Sequence, residues 1–116
     1  MKIGMLVAVE MDAVFKEYGE KLTPIEKPGY EIYHYRIGES DIYALSSGAG
    51  EIAAAAGTQL LISEFRVDMV VNFGVVGGLT PDMAVTRTCV VEKVVHYDFD
   101  ASAVDHCPVG RYLEYP

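Results

Sequence analysis

Tryptophan is absent from the sequence, cysteine occurs only twice, and lysine and arginine together number nine. Cys89 and Cys107 are too few and too irregularly placed for a disulfide framework, so both are expected as reduced thiols. His106 and Cys107 are adjacent, which is not metal-ligand spacing, and no metal is expected there. The shortage of cations against 17 aspartates and glutamates leaves a formal charge of −8. That argues against nucleic acid as a partner, because phosphates need a basic surface to displace their counterions. It argues equally against an anionic membrane face. No apolar run approaches the ~20 residues of a membrane span. The run after Lys2 is too short for a secretory signal, and Glu10 and Asp12 stand where a small-residue cleavage site would be needed. Low-complexity segments and repeats are also missing. The chain reads as soluble and cytoplasmic.

What is plentiful is apolar. Hydrophobic residues make up 51% of the 116 positions, with eight tyrosines among them. That suffices for one core, and the length suits one domain. The stretch that organises the rest is residues 70–81. It starts as a buried-strand run (Val70, Val71, Asn72, Phe73) and breaks into Gly74, Gly77 and Gly78 before Leu79, Thr80 and Pro81. Glycine lets backbone take positive φ or lie directly against a ligand. Open α/β sheets place small molecules where a buried strand ends in such a bend. The alternative is a tight turn that only carries the chain out of the core.

Residues 2–9 form a continuous apolar run, suited to a strand covered on both faces. Glu10 and Asp12 follow at once. Ala13, Val14, Phe15 and Tyr18 then predict a helix that Gly19 terminates. Two carboxylates at the carboxyl end of a buried strand can do acid/base work. They can equally be first-turn acids favoured by the helix dipole. Residues 30–37 are aromatic and β-branched, Gly38, Glu39, Ser40 and Asp41 supply a turn, and 42–46 return as the second strand of a hairpin. His34, amid tyrosines, reads as structural.

Ser46-Ser47-Gly48-Ala49-Gly50 leads into a helix over residues 51–65, whose alanine-rich start has high helix propensity. Its periodicity places Ile52, Ala56 and Leu60 on one face, with Leu61 and Phe65 beside them. The small residues at 53–57 would let the helix approach a sheet closely. Its first amides, beside Gly48 and Gly50, favour an anion or a hydroxyl-rich ligand. Gly48-Ala49-Gly50-Glu51-Ile52-Ala53 fits the loosened dinucleotide fingerprint G-x-G-x-x-A. That fingerprint also wants an acid ending the next strand to hold the ribose. Residues 67–73 end in Asn72 and Phe73, and Asp68 lies at the wrong end, so a nicotinamide cofactor is discounted. Thr80, Pro81 and Asp82 form a turn. Residues 85–95 are another β-branched run, followed by a polar-aromatic loop, His96-Tyr97-Asp98-Phe99-Asp100, that could line a site. Beyond 101 no clear helix or strand is predicted, only a loop carrying Cys107-Pro108-Val109-Gly110.

In order and spacing, these segments resemble the nucleoside phosphorylase superfamily, and within it the methylthioadenosine/S-adenosylhomocysteine nucleosidases. The residues that carry the likeness are Met1-Lys2-Ile3-Gly4, Ala8-Val9-Glu10, Ser47-Gly48-Ala49-Gly50 with its alanine-rich helix, and Asn72-Phe73-Gly74 with Gly77-Gly78-Leu79. His96 with Asp98 and Asp100, and Cys107-Pro108-Val109-Gly110, continue it. The fold so implied is α/β, a mixed central sheet flanked by helices. Residues 1–116 would be the amino-terminal half of a single such domain. The family chain is roughly twice as long, and its second half supplies the adenine-recognising aspartate and a Met-Glu pair for the ribose hydroxyls. The chain alone is therefore expected to be inactive.

The implied activity is cleavage of the N-glycosidic bond of an adenine nucleoside through a ribose cation-like transition state, in a homodimer and without a cofactor. By the same resemblance Asp12 and Glu10 are the catalytic acids. Ala8, Val9, Ser47, Gly48, Ala49, Val75, Val76 and Gly77 line the nucleoside, and Pro108 reaches the 5′ substituent of a nucleoside held by the partner subunit. Three departures stand out. Asp12 occupies the place of a catalytic glutamate, Val75 and Val76 occupy places of serine and alanine, and the loop before Cys107 is several residues shorter. Phosphorolysis needs cations, usually arginine. None of Arg36, Arg66, Arg87 and Arg111 falls in the strand-end loops, so water is the expected nucleophile. A phosphorylase of the same fold and a non-catalytic nucleoside-binding or oligomerisation module are the competing readings.

Overall fold

The computed structural model describes residues 1–19, 23–83 and 88–111. They fall into two compact units, Met1–Gly77 and Gly78–Pro116.

In the first unit, β1 (Lys2–Val7) lies between β4 (Ser40–Ser46) and β5 (Met69–Phe73) and is parallel to both. The hairpin of β3 (Tyr30–Ile37) and β4 is antiparallel, with a two-residue turn in which Gly38 takes φ 59°. A short strand, β2 (Ile25–Lys27), pairs antiparallel with β3. The sheet order is β2-β3-β4-β1-β5, a mixed sheet of the expected class. β2 has no counterpart in the sequence reading: its three residues show no alternation, and only pairing with β3 defines it.

Two helices cover the two faces. Alternation along β1 sends Val7 to one side and Leu6 to the other. On the first side Val7, Tyr33, Tyr35, Ile42 and Ala44 meet Met11 and Val14 of α1 (Met11–Tyr18). Phe15 adds an edge-on contact with Tyr33, ring centroids 4.7 Å apart. Gly19 ends α1 as expected, at φ 93°, with its N–H bonded to the Phe15 carbonyl. On the second side Leu6, Ile32 and Leu45 meet Leu61 of α2 (Glu51–Ser63), the crossover from β4 to β5. His34 sits on an exposed part of the sheet, stacked on Tyr43 with Nε2 2.8 Å from Asp41 Oδ1, a structural setting. That contact holds the Asp41 carboxyl below the usual range.

The face of α2 that meets the sheet differs from the one read from periodicity. Ile52 is 84% exposed and Ala56 is also exposed, whereas Gly57 and Leu61 are buried. A Cβ on Gly57 would lie 2.9 Å from Leu45 Cδ2 and 3.1 Å from Leu6 Cδ1. The helix turns its smallest residue to the sheet because close approach buries the neighbouring leucines more completely than a bulky contact would. Apolar residues surround this helix, so periodicity alone could not select the buried side.

In the second unit, Thr80–Met83 closes the expected turn with Met83 N–H donating to the Thr80 carbonyl. Of the β-branched run at 85–95, residues 85–87 lie outside the described residues, and 88–95 form no strand. Val90 and Val94 are 97% and 90% exposed. β-Branched residues favour strands because they pack on a pleated, half-buried surface; among the described residues of this unit no ladder offers one. One turn of helix, α3 (Ser102–Asp105), appears where none was expected. Asp100 precedes it and accepts from both the Ser102 N–H and hydroxyl, which holds its carboxyl below the usual range. Gly110, at φ 81°, donates to the Phe99 carbonyl, and a Cβ there would lie 2.5 Å from Val95 Cγ1. Gly110→Ala is therefore expected to loosen this unit by about 1–2 kcal/mol or more. Limited proteolysis would show it as faster cleavage within residues 94–111, with fragments of the first unit unchanged.

Cys89 and Cys107 are free thiols. Among the described residues, no helix is long and apolar enough to cross a membrane.

Candidate active site

The parallel strands β1, β4 and β5 all end at one edge of the sheet, in the register Val7 beside Ser46 and Val7 beside Phe73. That shared end collects ten of the eleven residues singled out above in the first unit. The backbone ties between them are direct. Ser47 N–H donates to the Val7 carbonyl at 2.9 Å, and Gly48 N–H to the Ala8 carbonyl at 3.1 Å. The Ser47 hydroxyl points back to the Gly48 carbonyl at 2.9 Å, so its proton is engaged locally. Gly48 and Gly50 take φ 74° and 108°, the conformations that swing the chain from β4 into α2. Gly50 is the N-cap of α2 and offers no side chain to cap that helix.

Both helices begin at this edge. Glu10 is the N-cap of α1 and its carbonyl accepts from the Ala13 N–H, but its side chain does not cap the helix. The carboxylate turns the other way. Oε2 accepts from the Val9 N–H at 3.1 Å and Oε1 from the Val75 N–H at 3.2 Å. The Val75 bond first, then that of Val9, holds the Glu10 carboxyl below its ordinary 4.5, against a smaller opposing push from burial. Gly74 makes this possible, since a Cβ there would sit 3.3 Å from both carboxylate oxygens. Asp12 lies in the first turn of α1, exposed, where the helix dipole favours its negative charge.

Val9, Val75 and Val76 are exposed. Valine side chains open to water at a strand end mark a surface that a ligand or a further segment can cover. Gly77 adds unobstructed space, for nothing lies within 4 Å of a Cβ placed on it. An open groove between Lys27, Gly29 and Tyr30 on one side and Ser46, Ser47 and Gly48 on the other runs along the same edge.

Pro108 belongs to the second unit, where its carbonyl accepts from the Arg111 N–H just after α3. His96 and Asp98, with Nε2 and Oδ1 3.1 Å apart, are in that unit too. Sequence reasoning missed the special part of Gly74: the pattern marks a bend, but only the tertiary arrangement shows a carboxylate from 64 positions earlier pressed on it.

The two arginines of the first unit lie away from this edge. Arg36 is paired with Asp41 at the start of β4, and Arg66 precedes β5. Among the described residues, no group of His, Cys, Asp and Glu has the arrangement of a metal site.

Comparison with known proteins bears on the family and the fold. A crystal structure of a 5′-methylthioadenosine/S-adenosylhomocysteine nucleosidase from Colwellia psychrerythraea, in complex with adenine, is 30% identical with a TM-score of 0.78. The match covers 100% of this chain and 48% of that one. The corresponding nucleosidase from Helicobacter pylori, complexed with a substituted pyrrolidin-3-ol, is 26% identical with a TM-score of 0.78, over 98% of this chain and 50% of that one. The S-adenosylhomocysteine nucleosidase of Streptococcus pyogenes, in complex with 5-methylthiotubericidin, shares the fold with a TM-score of 0.87 at 22% identity, over 100% of this chain and 49% of that one. The chain thus spans about half the length of the structures it matches. The phosphorylase superfamily model matches residues 2–114. With the sheet, the helices and the strand-end loops all in that arrangement, this chain belongs to the phosphorylase superfamily.

Proposed function

We propose that the chain is the amino-terminal half of a nucleosidase that cleaves the N-glycosidic bond of adenine nucleosides of the methylthioadenosine and S-adenosylhomocysteine type, with water as the nucleophile. The observation that carries this reading is the convergence of two acids, two helix starts and two glycine-bearing strand-end loops on one sheet edge. The similar structures hold adenine or nucleoside analogues and match the chain over its whole length.

In this reading Asp12 orients and deprotonates water as the bond to adenine breaks. Positive charge develops on the ribose, and the nearby carboxylates stabilise it without reorganising. Ala8, Val9, Ser47, Gly48 and Ala49 form one wall of the nucleoside site, and Val75, Val76 and Gly77 form the other. Pro108 serves the 5′ end of a nucleoside in the partner subunit. Placement of Arg36 and Arg66 at the opposite edge supports water over phosphate, because a phosphate beside Glu10 and Asp12 would meet like charge and neither guanidinium of the first unit. The exposed apolar residues Ile52, Ile62, Met69 and Phe73 support a homo-oligomer.

The reading is tested by adenine release from methylthioadenosine in a coupled assay. The 116-residue chain is expected to release none, and a longer product of the same reading frame is expected to release adenine at equal rates with and without phosphate. Release by the short chain would overturn the claim that a second half is needed. Strict dependence on phosphate, with ribose 1-phosphate as product, would make the protein a phosphorylase. Val75, where the relatives' pattern has serine, favours one second reading, binding without turnover. Calorimetry with adenosine analogues showing heat, beside an inactive long product, would establish it.

A further inference from the structure

The hydrogen-bond ladder between β1 and β5 ends at the pair Val7 and Phe73. Beyond that pair nothing in the sheet holds the two chain segments together, yet the glycine stretch starts there. Glu10 spans the break. One carboxylate oxygen accepts from Val9, which follows β1, and the other from Val75, which follows β5 and is 65 positions away in the chain. Gly74 gives the carboxylate room to lie against the backbone.

We propose that Glu10 is a positioning residue whose carboxylate extends the tie between β1 and β5 past the end of the sheet and so sets where residues 74–77 lie. Its consequence for a nucleoside rests on the function proposed above, but the tie itself does not. A carboxylate with both oxygens held by amide donors gives up proton affinity, which makes it a poor base. The division of labour that follows leaves proton transfer to Asp12 and backbone placement to Glu10. The titratable groups on the same edge are Asp12 and Glu51, in the first turns of α1 and α2, and Glu26, Lys27, Tyr30 and Glu31 along the groove beside β4. The last residues of β1, β4 and β5 carry no charge.

The sign of the pH effect follows from the lowered carboxyl. The tie is complete above the ordinary glutamate value and is lost as pH falls through the folded-state value, below 4.5. Amide NMR of the 116-residue chain tests this without substrate. In the unsubstituted chain the Val9 and Val75 amide protons are expected to shift together with one midpoint below 4.5. In Glu10→Gln that common titration disappears, and because a carboxamide keeps one acceptor oxygen, one of the two amides stays protected. In Glu10→Ala both amides exchange on the order of tenfold faster. Asp12→Asn separates the neighbouring acid and leaves the midpoint in place. A Val75 amide that exchanges equally fast with and without the Glu10 carboxylate, or a titration that survives in Glu10→Gln, overturns the proposal. Either result stands whether or not a nucleoside is cleaved.

Discussion

Replacing Leu61 by alanine is expected to destabilise the first unit by about 2–5 kcal/mol. Leu61 is fully buried between α2 and the sheet, in one cluster with Leu6, Ile32 and Leu45. Its side chain also fills the space over Gly4, where an added Cβ would come within 3.0 Å of Leu61 Cδ1. The sheet face cannot collapse into the gap, because Gly57 already brings the helix to contact distance there. Small domains are stable by only about 5–15 kcal/mol, so this loss takes a large share of the total. Urea unfolding followed by circular dichroism measures it as a lower midpoint with an unchanged slope. Ile52→Ala provides the contrast. Its side chain is 84% exposed, and the change is expected to stay within about 0.5 kcal/mol. Equal losses at 52 and 61 would mean that α2 presents the other face to the sheet.

The second large effect concerns Asp12 in the longer polypeptide and follows from its proposed role as the proton acceptor. Asp12→Asn removes the proton acceptor while preserving shape, and kcat is expected to fall by about 10²–10⁴-fold. Asp12→Glu adds the methylene that brings the carboxylate to the reach found in the resembling nucleosidases. A displacement of ~1 Å can cost about 100-fold, so this change is expected to raise kcat by up to that factor. Steady-state kinetics should show both changes mainly in kcat, because in the proposed mechanism the acid meets the attacking water rather than the base or sugar in the ground state. Retention of activity in Asp12→Asn would remove Asp12 from proton transfer. A fall in Asp12→Glu would mean that the site is built around the shorter acid.

Much of the fold was legible because local signals and burial agreed. The apolar run of β1, the tyrosine-rich hairpin with its glycine turn, and Gly19 at the end of α1 each combine a hydrophobic period with a breaker residue. The strand-end position of Glu10, Asp12, Ser47 and Val75 was equally accessible, since parallel strands in such sheets end on a common edge. Illegible were the features that exist only through a partner. β2 is a strand only against β3, and the residues at 88–95 lack a ladder despite their strand-like composition.

By itself, then, the sequence determined the positions of β1, the β3–β4 hairpin and α1, which charges the surface lacks, and which residues arrive together at the carboxyl ends of the strands. Those depend on neighbours along the chain. The tertiary structure decided which side of α2 is buried, because that helix is apolar on every side and only the fit of Gly57 against Leu45 and Leu6 selects one. It also decided the task of Glu10. In the chain that residue is one of two acids opening a helix, indistinguishable in kind from Asp12. Folding brings the Val75 amide to one of its oxygens and the bare backbone of Gly74 beside it, and those contacts, absent at Asp12, separate an acid that holds backbone from one exposed to solvent.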